Sequence, residues 1–378
     1  MRLLPGLTAL AGFALLAGAA TAQTQTAPRQ APALSQAIER MARIADEAQF
    51  SGEIAIGDAS GDREGQAFGM ADQTAGRMHR PGERWLWASV TKQVTALLIM
   101  QEVEAGRLSL DDTLHDRLPD FQGPTGARIT VRQLLQHTSG LPDPGAGPMN
   151  DEDVPIFYLE SGAGITDAAR AQGFCSGPVR AQPGEGFQYN NCDYLVLGAI
   201  LERSTGRSYA DLVRKMISGP LGLTSLRLAA DQTPYGGADS VGYLAVGRPH
   251  PVVNVATLGA AGALTGTASD LLELDRALLD GRLLSQTNRA LLWQGDPALG
   301  YEALGVWSFP APLAGCDGPV ALIERRGDFG GIQVRNVIAP AIGRSVVIFT
   351  NDGALDFGEI WQGKGLSFDL LSAAFCPA

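Results

Sequence analysis

Strand-forming sequence lies at both ends of this chain, with a long helix-rich stretch between, so a sheet can form only if the two ends meet. Near the start, "FSGEIAIGD" reads as a strand and "REGQAFGMAD" as its hairpin partner. Near the end, "VALIERRGD", "IQVRNVIAP" and "SVVIFTND" are β-rich runs joined by glycine-containing turns. Between them, "SVTKQVTALLIMQEVEAG", "DYLVLGAILERSTG" and "TASDLLELDRALLDG" carry helical patterns that end in turn chemistry. The expected fold class is α/β (α+β), with an antiparallel sheet flanked by helices. Residues 34–105 and 300–378 would form one discontinuous domain, and residues 106–299 a helix-rich insertion. A chain of 378 residues with 45% hydrophobic and 18% charged residues has enough apolar material for a real core.

The first 22 residues combine Arg2, an apolar run and the small-residue site Ala20-Thr21-Ala22. That is the pattern of a secretory signal cleaved near Ala22, followed by a flexible leader over residues 23–33. An uncleaved anchor is the rival reading, but the run is short for a span of about 20 residues. The expected mature chain has no membrane span and is periplasmic or secreted. The formal charge of −11 comes with no basic run, which argues against nucleic acid as a partner. Four cysteines in an exported chain suggest two disulfides. Three connectivities are open, and the local one, Cys175–Cys192 with Cys316–Cys376, is preferred. No pattern of metal-ligating residues is present, so no metal and no organic cofactor are expected.

Of 29 basic residues only Lys92, Lys215 and Lys364 are lysines. Lys92 stands three positions after Ser89, one turn along the helix expected to begin at Ser89, where the two side chains share a face. A lysine among apolar neighbours loses hydration, which disfavours its charged form and readies it to take the serine proton. An ordinary N-terminal serine followed by a solvated lysine would show the same spacing. A second stretch, "PGEGFQYNNCDY", puts Tyr189 and Asn191 at i and i+2, on one side of an extended loop. A phenol near an ammonium can act as a base, and the amide can orient a carbonyl. In a third, "ERRGDFGGIQV", Arg325, Arg326 and Gly327 would lie on a strand beside a substrate. Gly327 would allow close approach, and the Asp328 backbone N–H would complete an oxyanion hole with that of Ser89.

These three stretches, in this order, resemble the serine β-lactamase-related hydrolases, whose pattern is Ser-x-x-Lys, then Tyr-x-Asn, then Lys-Thr-Gly or His-x-Gly. The likeness runs over roughly residues 35–375 and includes "ITVRQLLQHTSGLPD" and "GPLGLTSL". It implies a β-lactamase/transpeptidase-like fold and an acyl-enzyme on Ser89. Lys92 and Tyr189 would manage the proton and Asn191 would orient the substrate. The third stretch departs from the pattern. Arg325 falls where the family has Lys or His and could clamp a carboxylate through two hydrogen bonds, while Asp328 adds a negative charge. Asn190 falls where many relatives are small and would narrow the site. His137, Ser139 and Asp143 in "HTSGLPD" invite a triad reading, but triads are assembled by the fold and seldom packed into seven residues. The chain is therefore expected to be an exported serine hydrolase of esterase or peptidase type that hydrolyses an ester or amide, its partner a small-molecule ester, peptide or β-lactam. A D-Ala-D-Ala carboxypeptidase or class C-type β-lactamase is the alternative. A disabled module that only binds wall peptides is the second.

Overall fold

The computed structural model describes residues 31–377. The expected signal segment, and the leader up to residue 30, lie outside the described residues. The first helix, α1 (Leu34–Glu47), buries Ala37, Ile38, Met41 and Ala45, a stripe at helical spacing. Strands β1 (Gly52–Asp58) and β2 (Arg63–Phe68) follow as a hairpin. The helices α2 (Thr91–Glu104), α3 (Cys192–Thr205) and α4 (Ala268–Leu279) then lead to β3 (Trp307–Ala311), β4 (Val320–Phe329), β5 (Ile332–Ala339) and β6 (Arg344–Thr350). The last helix is α5 (Leu366–Phe375).

The two chain ends meet in one antiparallel sheet of order β3-β4-β5-β6-β1-β2. The seam is the β1–β6 pair, in which Ile54 lies opposite Ile348. Every residue of β6 is buried, because helices cover both faces of the sheet. The period of two divides it: Val346 and Ile348 join the core under α1 and α5, while Val347 and Phe349 join the core under α2 and α4. Helix α4 falls in the stretch read from sequence as helical insertion, yet it packs on β1 and β6. The sheet layer therefore takes up the chain again before residue 300.

Helix α2 is buried almost all round, from Thr91 to Met100 and again at Glu102, as suits a helix passing between two layers of core. Both disulfides are present in the local pairing. Cys175–Cys192 ties the first residue of α3 to a 3-10 turn at Phe174–Ser176, and Cys316–Cys376 ties the β3–β4 connection to the end of α5. Among the described residues no helix is long and apolar enough to cross a membrane, and no group of three or more His, Cys, Asp or Glu is placed to hold a metal ion.

Candidate active site

Ser89 is delivered by a short tight passage. Trp85–Leu86 pairs with Leu264–Gly266 in a small antiparallel sheet, and the chain then turns through Ala88, a non-glycine residue at φ 45°. Such a conformation costs on the order of 1–3 kcal/mol and persists only where packing over-determines it; Trp87 and Ala88 are both 0% exposed. Ser89 then lies in a 3-10 turn (Ala88–Val90), so α2 begins at Thr91 rather than at the serine. Its hydroxyl caps nothing, because it is turned sideways into a cluster of side chains. The β4 backbone closes over this turn. A methyl added at Gly327 would lie 2.7 Å from the Trp87 carbonyl oxygen and 3.0 Å from the Ser89 nitrogen, so only glycine fits there.

The structure brings Ser89, Lys92, Tyr189, Asn191 and Arg325 together. Ser89 Oγ lies 2.6 Å from Tyr189 Oη, and Lys92 Nζ donates to Ser89 Oγ at 3.2 Å. Lys92 Nζ also donates to Asn191 Oδ1 at 2.7 Å and to the Ala261 carbonyl at 2.8 Å. Three acceptors around one amine match the three protons of an ammonium. Burial pushes the Lys92 pKa down from its ordinary value, and the Arg325 charge adds to that, against the pull of Tyr189. Burial also pushes the Tyr189 phenol up, but Lys92, Arg325 and the bonds from Lys92 and Ser89 outweigh it and leave the phenol below its ordinary value.

Arg325 lines the Ser89 cavity, as its position suggested, and its bonds run to the serine turn and the phenol. Its side chain is 1% exposed. Nε donates to the Ser89 carbonyl at 3.1 Å and Nη2 donates to Tyr189 Oη at 3.1 Å. Nη1 faces the buried Glu302 carboxylate at 3.7 Å, and burial raises the Glu302 pKa to about 8. Two of the guanidinium nitrogens are thus engaged by the Ser89 carbonyl and the Tyr189 hydroxyl, while the residue still forms part of the cavity wall. Asp328 is exposed on the cavity wall. Asn190 does not narrow the site: it is 0% exposed and its amide bonds Asp193. The i, i+2 geometry that turns Tyr189 and Asn191 one way turns Asn190 the other.

His137 and Ser139 form a sealed cluster instead of a triad with Asp143. His137 Nδ1 lies 2.9 Å from Asp193 Oδ2, and the Ser139 hydroxyl donates to the other oxygen of Asp193. Asp143 accepts from the Asn191 backbone N–H at 3.2 Å. Three participants had no readable signal. Tyr158 Oη accepts from Asn191 Nδ2 at 3.0 Å, Glu302 arrives from the turn before β3, and Ala261 contributes only a carbonyl. The open face of the cluster is a cavity of about 460 Å³, walled by Ser89, Phe187, Tyr189, Trp307, Arg326 and Asp328 among others.

An antiparallel sheet with helices on both faces, and a Ser/Lys/Tyr cluster where the sheet meets the helical layer, defines a fold of the β-lactamase/transpeptidase kind. The chain belongs to the Beta-lactamase family, whose sequence model matches residues 41–361. It is 28% identical over 262 residues to Penicillin-binding protein 4* of Bacillus subtilis, covering 65% of this chain and 56% of that protein. It is 34% identical over 168 residues to Esterase EstB of Burkholderia gladioli, covering 42% of each. The chain thus spans about half the length of the curated relatives it matches. In fold it is similar to the D-amino acid amidase of Ochrobactrum anthropi SV3, with a TM-score of 0.73 at 23% identity over 89% of this chain and 98% of that one.

Proposed function

We propose that this chain is a serine hydrolase that forms an acyl-enzyme on Ser89 and releases it to water, acting on esters or amides. The observation that carries the reading is the 2.6 Å approach of Ser89 Oγ to Tyr189 Oη in an open cavity, with Lys92 Nζ 3.2 Å from the same oxygen. Tyr189 takes the proton as Ser89 Oγ attacks the carbonyl carbon. Its phenol is the better base of the two, since the amine already donates to three acceptors and two cations hold the phenolate. The oxyanion is held by the backbone N–H groups of Ser89 and Asp328, a contribution of about 10²–10³ per donor. The carbon–leaving-group bond breaks as Tyr189 returns the proton to the leaving atom. Water then attacks the acyl-Ser89 carbonyl, gives its proton to Tyr189, and Ser89 regains a proton as the acid departs.

The relatives support an ester or amide carbonyl as the target, since an esterase and a D-aminopeptidase are among them. A penicillin-binding protein among them keeps peptide and β-lactam substrates in view. The bonds that Arg325 already makes to the Ser89 carbonyl and Tyr189 Oη count against a carboxylate-clamping role. The two disulfides support export to an oxidising compartment. The test is to treat the mature protein and Ser89→Ala with a fluorophosphonate probe, a chromogenic ester, a chromogenic cephalosporin and a D-Ala-D-Ala peptide. Ser89-dependent labelling and turnover of at least one substrate are expected. If none depends on Ser89, the disabled binding module takes its place.

A further inference from the structure

Beside the Ser89 cavity lies a second chamber of about 380 Å³, walled by Tyr301, Trp307, Phe309, Pro310 and Trp361. Trp307 and Arg326 belong to the walls of both. The Arg326 guanidinium lies 5.8 Å from the Trp307 ring and 5.3 Å from the Trp361 ring, so the partition is a cation between two indoles. Glu324 accepts from Arg326 at 3.0 and 3.1 Å, and Glu359 sits 2.9 Å away. The charge of Arg326 is therefore answered from within the protein and holds the rings in place rather than awaiting an anion. What the chamber offers an incoming molecule is aromatic surface. Trp361 is 56% exposed and Tyr301 39% exposed, large ring areas left to water beside a cavity.

We propose that this chamber is a subsite of the same active site. It takes an apolar substituent, an aryl group or a medium-length alkyl chain, attached on one side of the scissile carbonyl. This rests on the reading of Ser89 as nucleophile and deepens it: the preferred substrates are hydrophobic esters or amides rather than small polar ones. The substituent crosses the partition over Trp307 and Arg326, while the carbonyl stays at Ser89. Small acyl compounds fill only the first cavity and gain nothing from Tyr301, Phe309 and Trp361, which wall the second alone.

The test is a pair of ester series, one lengthening the acyl chain (4-nitrophenyl acetate, butyrate, octanoate) and one lengthening the alcohol (ethyl, butyl and octyl acetate). In one of them kcat/KM should rise about three- to fourfold per added methylene until the chamber is full. Trp361→Ala should lower the long-to-short ratio of kcat/KM at least about tenfold, and Trp361→Phe should keep most of it. Flat series in both directions, or a Trp361→Ala loss equal on long and short esters, would overturn the proposal. Failure of the hydrolase reading looks different: no ester of any length turns over. The chamber is then tested on the Ser89→Ala protein by calorimetric titration with octanamide and acetamide. A preference for octanamide that disappears on adding Trp361→Ala upholds the subsite, and equal binding of the two amides sinks it.

Discussion

Two serine-centred clusters touch each other in this molecule. Around Ser89 stand Tyr189, Lys92 and Arg325; around Ser139 stand Asp193, His137 and Asn190. The His137 and Tyr189 rings lie 4.5 Å apart, centre to centre. By inventory the second is the more familiar set, with serine, histidine and aspartate. Two physical differences separate them. Ser89 opens on a cavity, whereas Ser139, His137 and Asp193 are each 0% exposed. The first cluster also holds two buried cations, which draw the Tyr189 phenol below its ordinary pKa. In the second, burial pushes His137 down and Asp193 up, and the same cations further discourage His137 from taking a proton. The proposed role of Ser89 as nucleophile needs access and a base held ready by charge, and the sealed cluster around Ser139 lacks that access.

The sharpest way to break this contrast is to delete each hydroxyl. Ser89→Ala should lower kcat/KM by about 10³ or more on any substrate the enzyme accepts. Ser139→Ala should leave kcat within a few-fold and instead cost about 1–3 kcal/mol in denaturant unfolding, since it leaves a buried carboxylate short of a donor. Loss of turnover in a fully stable Ser139→Ala protein would mean the sealed cluster takes part in the chemistry.

A second pair separates the two phenols over Lys92, whose ring centres lie 4.9 Å (Tyr189) and 5.4 Å (Tyr194) from Nζ. Tyr189→Phe should cost about 10²–10⁴ in kcat, the range of a lost general base. Tyr194 spends its hydroxyl on the Leu135 carbonyl at 2.9 Å, so Tyr194→Phe should cost about 1 kcal/mol of stability and little rate. Equal rate losses would remove the distinction between base and scaffold.

Arg325→Gln tests the charge itself. A reaction that needs a free base gains rate as pH rises through that base's pKa and then levels. Arg325 holds both Tyr189 and Lys92 down, so its removal lets either rise and moves the acid limb of kcat/KM to higher pH, about tenfold in rate per unit moved. A limb that stays in place, with KM alone rising for carboxylate substrates, would return Arg325 to the substrate-clamping role read from its position.

The bonds of Arg325 mark where reading from sequence stops. The sheet was legible because β-rich runs such as "SVVIFTND", bounded by glycine-containing turns, lie at both ends of the chain. Ser89 and Lys92 were legible from one helical turn, and Tyr189 with Asn191 from one step of extended chain. The partners of Arg325 were not. Alternation along β4 puts it on the face of Gly327, but that its Nε and Nη2 reach the Ser89 carbonyl and Tyr189 Oη depends on how the Ala88–Val90 turn packs against that strand. Ala261 was beyond reach because a carbonyl has no side-chain signature. Glu302 was beyond reach because only the tertiary fold carries the turn before β3 beneath Ser89.

A buried acid without cations gives the mildest and cleanest check on the contrast. Asp275 on α4 accepts from Gln93 at 3.2 Å and from Asn336 at 3.0 Å, two neutral donors. Burial raises its pKa from 3.8 to about 7. The folded protein therefore binds this proton more tightly than the unfolded chain does. Its contribution to stability is fully present below pH about 4 and is lost as pH rises toward 7, with a slope of at most about 1.4 kcal/mol per pH unit. Asp275→Asn keeps an acceptor for both amides and has no proton to lose. It should remove about 1 kcal/mol of the fall in stability between pH 6 and 7, measured by denaturant midpoints, without moving the pH profile of kcat/KM. If the slope survives in Asp275→Asn, desolvation at this site is weaker than the neutral surroundings imply. Charge would then be the lesser part of what sets the Ser89 cluster apart, and access to the cavity the greater.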